Sequence, residues 1–274
     1  MDDLRGRTAV ITGAASGIGA GIAHALAEAG IDLVLADVEA APLDATAAEL
    51  ATYGVRVVPL RTDVADREAV AALADAAYDA TGRVDVLCAN AGVGAFPPVV
   101  DATGDDWDWV PSVNLGGTVN CLLAFLPRMR EAQSGTHIVL TASIAGLVPV
   151  NITLYSTSKY ALVGLGESLA QESATHGWGI GASILCPGGV ATNFGTSDRN
   201  RPGGAAARES TTASGRGSDP ARTVAPMDPR AVGRRVRQAI LDDQLFVLTH
   251  PHTRALVEAR HQRLLDAYAV ADDS

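Results

Sequence analysis

Short apolar runs alternate along the chain with longer, alanine-rich stretches dotted with charge. Residues 8–12 form the first run, rich in strand-favouring residues and closed by Gly13. Residues 17–30 predict a helix, because Ile22, Ala25, Leu26 and Ala29 fall on one stripe. Runs at 31–36 and 55–60 enclose a helix at 43–53. A helix at 66–81 leads to a strand at 84–89. Residues 105–132 read as one long helix, open to interruption at Pro111, and a strand follows at 137–140. A helix at 155–176 precedes the sixth strand, 180–186. Strands separated by helices of this length imply βαβ units and a parallel sheet with helices on both faces.

Residues 193–228 break the rhythm. They are rich in Gly, Ser, Thr, Ala and Arg, with Phe194 their single aromatic, and a loop this long in a compact domain reads as a mobile lid over a site, with an inert insertion as the alternative. A helix at 229–241, a short run at 245–248 and a terminal helix at 254–270 complete the pattern. No linker divides it, so the expectation is one doubly wound α/β domain over residues 1–274.

The 274 residues are a length that α/β folds often occupy as one unit. With 47% hydrophobic and 19% charged residues, wholesale disorder is excluded. The formal net charge of −10 argues against nucleic acid or an anionic membrane as partner, since phosphate binding runs on positive patches. Asp2 and Asp3 at the start, and Gly13 in the first apolar run, are unlike a signal peptide. Residues 133–158 and 176–197 carry no charge but are dotted with Gly, Pro and Asn, so neither reads as a membrane span. Cys88, Cys121 and Cys186 are odd in number and widely spaced. They form no disulfide framework or zinc pattern, and read as buried small hydrophobes in a reducing cytoplasm.

Thr12-Gly13-Ala14-Ala15-Ser16-Gly17-Ile18-Gly19 joins the first strand to the first helix. Glycines there let a pyrophosphate approach the backbone, and the helix start offers free N–H groups. The spacing is Gly-x-x-x-Gly-x-Gly, and an ordinary strand-to-helix turn explains it as well. Asp37 ends the second run, 18 residues past Gly19. A carboxylate there suits ribose hydroxyls and repels a 2′-phosphate, although it could equally cap a helix. Neither Ser16 nor Val38 is basic, which favours NAD over NADP.

Tyr155 and Lys159 share one helical face. A free phenol, with a pKa near ~10, is a poor base at neutral pH, and a nearby ammonium favours its ionised form. Ser143 lies just past the fifth strand, beyond the carboxyl ends of the strands, where ligands of open parallel sheets bind. Asn114 is an unusual residue to bury in a long helix.

Together these residues resemble the short-chain dehydrogenase/reductase family, in its shorter-chain branch, over nearly the whole chain. The motifs are Thr12-Gly13-x-x-x-Gly17-x-Gly19, Asp63-Val64, Asn90-Ala91-Gly92, Asn114, Ser143, Tyr155-x-x-x-Lys159 and Pro187-Gly188. The resemblance implies that the glycine motif holds the pyrophosphate, and that the Asp63 side chain and Val64 backbone bracket the adenine. It implies that Asn90, Ala91 and Gly92 support the cofactor's centre and the sheet. Tyr155 would be the acid/base, Ser143 would orient the substrate oxygen, and Lys159 would hold the nicotinamide ribose and lower the tyrosine pKa. Asn114 would hold a relay water, while the Val190 backbone and Thr192 would fix the carboxamide. Ala89 stands where many relatives carry a second Asn.

The expected reaction is reversible hydride transfer between NAD and a secondary alcohol or ketone. Val93, Phe96, Ile144, Leu147, Gly188 and Phe194 are the expected pocket walls, mostly apolar, and suggest a hydrophobic or alicyclic substrate. An NADP-dependent reductase, a sugar-nucleotide epimerase and a non-catalytic dinucleotide-binding regulator are the alternatives. A homotetramer is expected, a dimer second, with Ala161, Leu165 and Leu169 serving an assembly face or the core.

Overall fold

A computed structural model describes residues 3–132, 135–203 and 225–272. Seven strands form one parallel sheet: β1 Thr8–Thr12, β2 Asp32–Asp37, β3 Val57–Arg61, β4 Val86–Ala89, β5 Thr136–Thr141, β6 Ile180–Cys186 and β7 Phe246–Leu248. Their order is β3-β2-β1-β4-β5-β6-β7. The chain therefore reverses its direction of travel between β1 and β4, and a crevice opens above their carboxyl ends.

Helices cover both faces: α1 Gly17–Ala27, α2 Ala40–Ala51, α3 Arg67–Thr81, α4 Gly104–Pro111, α5 Gly117–Glu131, α6 Thr153–His176, α7 Pro229–Asp242 and α8 Arg254–Asp272. Successive strand residues point to opposite faces. Ile11, Leu33 and Leu35 accordingly pack with Ile22 and Leu26 of α1 and Val236 and Ile240 of α7. Val10 and Val34 turn the other way, towards Leu73 of α3, Phe125 of α5 and Leu169 of α6. Leu165 and Leu169, candidates for an assembly face, pack into this second core. Cys88, Cys121 and Cys186 are buried free thiols.

Local chemistry sets the element ends. Asp66 caps α3 by accepting from the Glu68 and Ala69 N–H groups, and Gly82 closes it at φ 74°. Thr103 and Asp106 form a reciprocal capping box on α4. The interruption expected at Pro111 is present: a proline lacks the N–H of a regular turn, and the chain widens into a π turn over Ser112–Gly116. Gly104–Glu131 passes the length and hydropathy test for a membrane span. Half of its apolar window is packed inside the protein, as in a core helix.

The expected lid, residues 193–228, is described only in part. Asn193–Asn200 forms short 3-10 turns, Met227 pairs with Val190 in a single β-bridge, and residues 204–224 lie outside the described residues.

Candidate active site

A cleft of about 1150 Å³ runs along the carboxyl ends of the strands. One end is the glycine loop. Ser16 precedes α1 without using its side chain as a cap, so the first helical N–H groups face the cleft free of it. Gly13, Ser16, Gly17 and Ile18 line this end. Gly19 does not reach the surface. A Cβ there would stand 2.0 Å from the Gly13 carbonyl oxygen, so the glycine lets helix and loop close on one another.

Thr12 and Asn90 stitch this end to the sheet. Thr12 Oγ1 accepts from the N–H groups of Asn90 (3.0 Å) and Ala91 (3.1 Å). The Asn90 amide donates to the Thr12 carbonyl at 2.9 Å and accepts from Thr141 Oγ1 at 3.2 Å. Asn90, Ala91 and Gly92 line the cleft, as do Asp63 and Val64.

The Asp37 carboxylate accepts from the Ala15 N–H (3.0 Å) and the Glu39 N–H (3.0 Å), which ties the glycine loop to β2. Burial raises its pKa against those two bonds. Beside it sits a cation that local sequence does not reveal. Arg199 reaches across from the 193–200 segment and pairs with both oxygens of Glu39, at 3.0 and 2.6 Å. The Glu39 bond, and beyond it the charge of Asp37, hold the guanidinium pKa up. The absence of a basic residue near Asp37, expected from Ser16 and Val38, is thus corrected. Arg199 lies 160 residues along the chain from Glu39, so no local pattern could show it.

At the other end, Ser143, Tyr155 and Lys159 converge. Ser143 is the cap of the short turn after β5, where its Oγ accepts from the Ala145 N–H at 3.1 Å. Lys159 is buried, donates to the Thr141 carbonyl at 2.9 Å, and stands 5.6 Å from the Tyr155 ring centre. Burial brings Lys159 down to about 8. Burial also pushes the Tyr155 phenol up to about 12, with a hydrogen bond from Ser143 pulling the other way. The lysine does not, in the protein alone, bring the phenol towards neutrality as the sequence leads one to expect. Desolvation outweighs an ammonium that has itself lost solvent.

Asn114 is wholly buried in the π turn and does not line the cleft. Its Oδ1 accepts from the Val93 N–H (2.8 Å), and its Nδ2 donates to the Val93 carbonyl and to Ser158 Oγ, both at 3.0 Å. The side chain is therefore a clamp on the Val93 backbone, and its main-chain carbonyl accepts from Thr118 Oγ1 at 2.9 Å.

Phe96, Tyr155 and Phe194 form an aromatic corner with ring centres 5.3 to 5.8 Å apart. Val93, Phe96, Ile144, Gly188 and Phe194 line the cleft as expected. Leu147 does not; partly buried, it packs against the cluster of Ala142, Leu162, Val163, Ile184 and Cys186. Pro187, Val190 and Thr192 form the wall between the two ends. Trp109, Val148, Ile152 and, from α8, Leu256 and Arg263 also contribute, unforeseen from sequence. They reach the cleft through tertiary folding alone.

The described part of the 193–228 segment is docked. Ser197 Oγ accepts from the Gly94 N–H (2.9 Å) and donates to the Gly94 carbonyl (3.1 Å). Arg201 pairs with buried Asp106 and lies over the Trp109 ring at 4.9 Å. Burial alone would raise Asp106, but its bonds to Thr103 and Arg201 prevail and hold it at about 2.

A doubly wound sheet with a glycine loop over β1, and Ser, Tyr and Lys meeting over β5, defines a dinucleotide-dependent oxidoreductase fold. The short-chain dehydrogenase family model matches residues 7–202, and the chain belongs to the short-chain dehydrogenase/reductase family. It is an NAD(P)-dependent oxidoreductase acting on CH–OH groups. It is 32% identical to a C alpha-dehydrogenase of Sphingobium sp., over 98% of this chain and 88% of that protein. It is 38% identical to a 1-deoxy-11-beta-hydroxypentalenate dehydrogenase of Streptomyces exfoliatus, over 69% of each. A short-chain dehydrogenase/reductase from Burkholderia phymatum, solved in complex with NAD, superposes with a TM-score of 0.89 at 36% identity, covering 96% of both chains.

Proposed function

We propose that this cleft interconverts a hydrophobic or alicyclic secondary alcohol and its ketone with NAD as preferred cofactor. The observation that carries the reading is the meeting of Ser143, Tyr155 and Lys159 beside an apolar corner, at the far end of one cleft from the glycine loop. The donor set fits a dinucleotide: uncapped N–H groups at α1, a carboxylate at Asp37 and a continuous cleft between them and Tyr155. The NAD bound to the Burkholderia relative supports the choice, and the pentalenate name of another relative accords with an alicyclic substrate. When bound, the dinucleotide accepts or donates the hydride.

The chain's residues do the rest. Ser143 holds the substrate oxygen by a hydrogen bond. Tyr155 takes the hydroxyl proton during oxidation and returns it during reduction. Lys159 Nζ lies 5.6 Å from the Tyr155 ring centre, where an ammonium, together with a bound oxidised nicotinamide, would favour the phenolate. Asn114 fixes Val93 and with it the loop bearing Phe96. We read the assembly as a homotetramer, a dimer second, with Leu123 of α5 a single large apolar side chain left exposed. The three free buried thiols accord with a cytoplasmic setting.

The experiment is Tyr155→Phe assayed on an alcohol panel. Turnover falls by at least ~10²-fold, the scale of a lost general acid/base, while NADH binding by fluorescence persists. Oxidation by the unmodified protein speeds up as pH rises, because the phenolate is the base, and the variant loses that limb. Near-normal turnover in the variant overturns the assignment.

NADP use is the second reading. Arg199, close to Asp37, is the cation that could meet a 2′-phosphate if Glu39 released it.

A further inference from the structure

Pro187–Thr192, the wall between the two ends of the cleft, contains two consecutive glycines. Gly188 and Gly189 have no side chains to fix them, so hydrogen bonds to their backbone must do so. One residue outside the wall reaches both. His250, just past β7 and 7% exposed, lies beneath the pair. Its Nδ1 is 3.1 Å from the Gly188 nitrogen, and its Nε2 is 3.0 Å from the Gly189 oxygen.

The backbone partners decide the proton's place. An amide N–H only donates, so Nδ1 accepts; a carbonyl only accepts, so Nε2 carries the hydrogen. In the neutral ring this selects the Nε2–H tautomer, with the Gly188 N–H shared between Nδ1 and Thr249 Oγ1 at 3.3 Å. Thr249 Oγ1, 2.6 Å from Nδ1, donates to that nitrogen in this tautomer. A Cβ on Gly188 would stand 2.8 Å from the ring, so only glycine admits the histidine here. The same wall touches the reacting end: the Pro187 carbonyl accepts from the Ile144 N–H (2.9 Å) and, at 3.5 Å, from Ser143 Oγ.

We propose that His250 is a positioning residue of this enzyme, holding the Gly188–Gly189 backbone through both ring nitrogens and so setting the wall between Ser143 and the glycine loop. It rests on reading the cleft as the dehydrogenase site. Protonation would turn Nδ1 into a donor towards Thr249 Oγ1 (2.6 Å), so it could no longer accept from the Gly188 N–H, which would keep only its longer bond to Thr249 Oγ1 (3.3 Å). The groups facing the ring are His252, with ring centres 5.5 Å apart, and Arg235 of α7, both opposing protonation; the glycine wall opposite is uncharged. Burial lowers the imidazole pKa first of all, so the neutral clamp extends below the usual histidine range. It fails as pH falls further.

The test compares His250→Phe, His250→Asn and His250→Gln. Asparagine places an acceptor near the Nδ1 position, and glutamine a donor near the Nε2 position. His250→Phe lowers kcat/KM by at least ~10-fold, since small misplacements at a reacting centre are costly. His250→Asn recovers most of that loss and removes the histidine from the acid limb of the pH profile. The Gly188 amide resonance, read by NMR without any substrate, moves with pH in the unmodified protein and holds still in His250→Asn. This readout stands even if no alcohol in the panel is a substrate. Should His250→Phe not fold, the Asn and Gln variants decide: full activity with an unchanged acid limb in both overturns the proposal. A Gly188 resonance indifferent to pH in the unmodified protein also overturns it.

Discussion

At the glycine-loop end of the cleft, Thr12, Gly13, Gly19 and Asn90 meet through backbone atoms and short side chains. At the aromatic end, Phe194, Ser197, Arg199 and Arg201 are held by side chains reaching to Gly94, Glu39 and Asp106. Thr12 and Asn90 are also far apart in sequence, but they close the adjoining strands β1 and β4, whose register pairs Ile11 with Cys88. The sheet itself delivers them to one another. Nothing in the sheet delivers Ser197 to Gly94, and only the fit of two loops does so. One end is therefore rigid by construction. The other can change its fittings without disturbing the fold, which suits a fold hosting many substrates.

The largest effect that sharpens this contrast comes from Gly19→Ala. The new methyl would lie 2.0 Å from the Gly13 oxygen and 2.7 Å from Asn90 Nδ2, both parts of the stitched end. Helix and loop must part, at a cost of roughly 1–3 kcal/mol by the scale of overpacking. NADH affinity, measured by fluorescence titration, falls at least ~10-fold, since the loop's N–H groups no longer converge. Unchanged affinity would show this end to be as adaptable as the other.

The same contrast explains what the sequence discloses. The strands are legible because each is a short apolar run between helical stretches, and all seven are present. Pro111 announces the break that carries Asn114. Ser143, Tyr155 and Lys159 are legible through their placement after β5 and along one face of α6. The purpose of the Asn114 side chain is not, because its partner Val93 is found only in three dimensions. Leu147 looks like a wall residue because it is apolar and follows Ser143, yet turning into the core satisfies an apolar chain equally well. Arg199 carries no sequence signal at all, because its meaning depends on Glu39 across the cleft. Periodicity reports which face of an element is buried; it does not report which distant loop meets it.

A middle-sized effect is expected at the aromatic end. Ser197→Ala strips Gly94 of the partner for both its N–H and its carbonyl. Leaving buried backbone groups unpaired costs about 1–3 kcal/mol, so the docked segment loosens and Phe194 with it. The expected result is a substrate KM raised by about 5- to 150-fold, that range converted at about 1.4 kcal/mol per tenfold, with NADH affinity within about twofold. An equal loss of NADH affinity would mean the two ends are one cooperative unit, and the comparison would fall.

The smallest effect tests where the two ends touch. Arg199 belongs to the aromatic-end segment yet pairs with Glu39 at the other end, and Asp37 lies near both. The pair is partly exposed, with side chains 36% and 25% accessible, so its worth is at most about 1 kcal/mol. Glu39→Gln removes the carboxylate that neutralises Arg199 without changing the size of the side chain. A 2′-phosphate would then meet a cation whose charge is no longer spent, although Asp37 still repels it. The ratio of NADPH to NADH affinity should rise by about 2- to 10-fold, the span of roughly 0.4–1.4 kcal/mol. The gain should shrink in high salt, because the attraction acts at a partly solvated lip. Adding Arg199→Met to Glu39→Gln should return the ratio to its starting value, which assigns the shift to that guanidinium. If the single variant leaves the ratio unmoved, or the double variant keeps the gain, Arg199 only latches the segment and takes no part in choosing the cofactor.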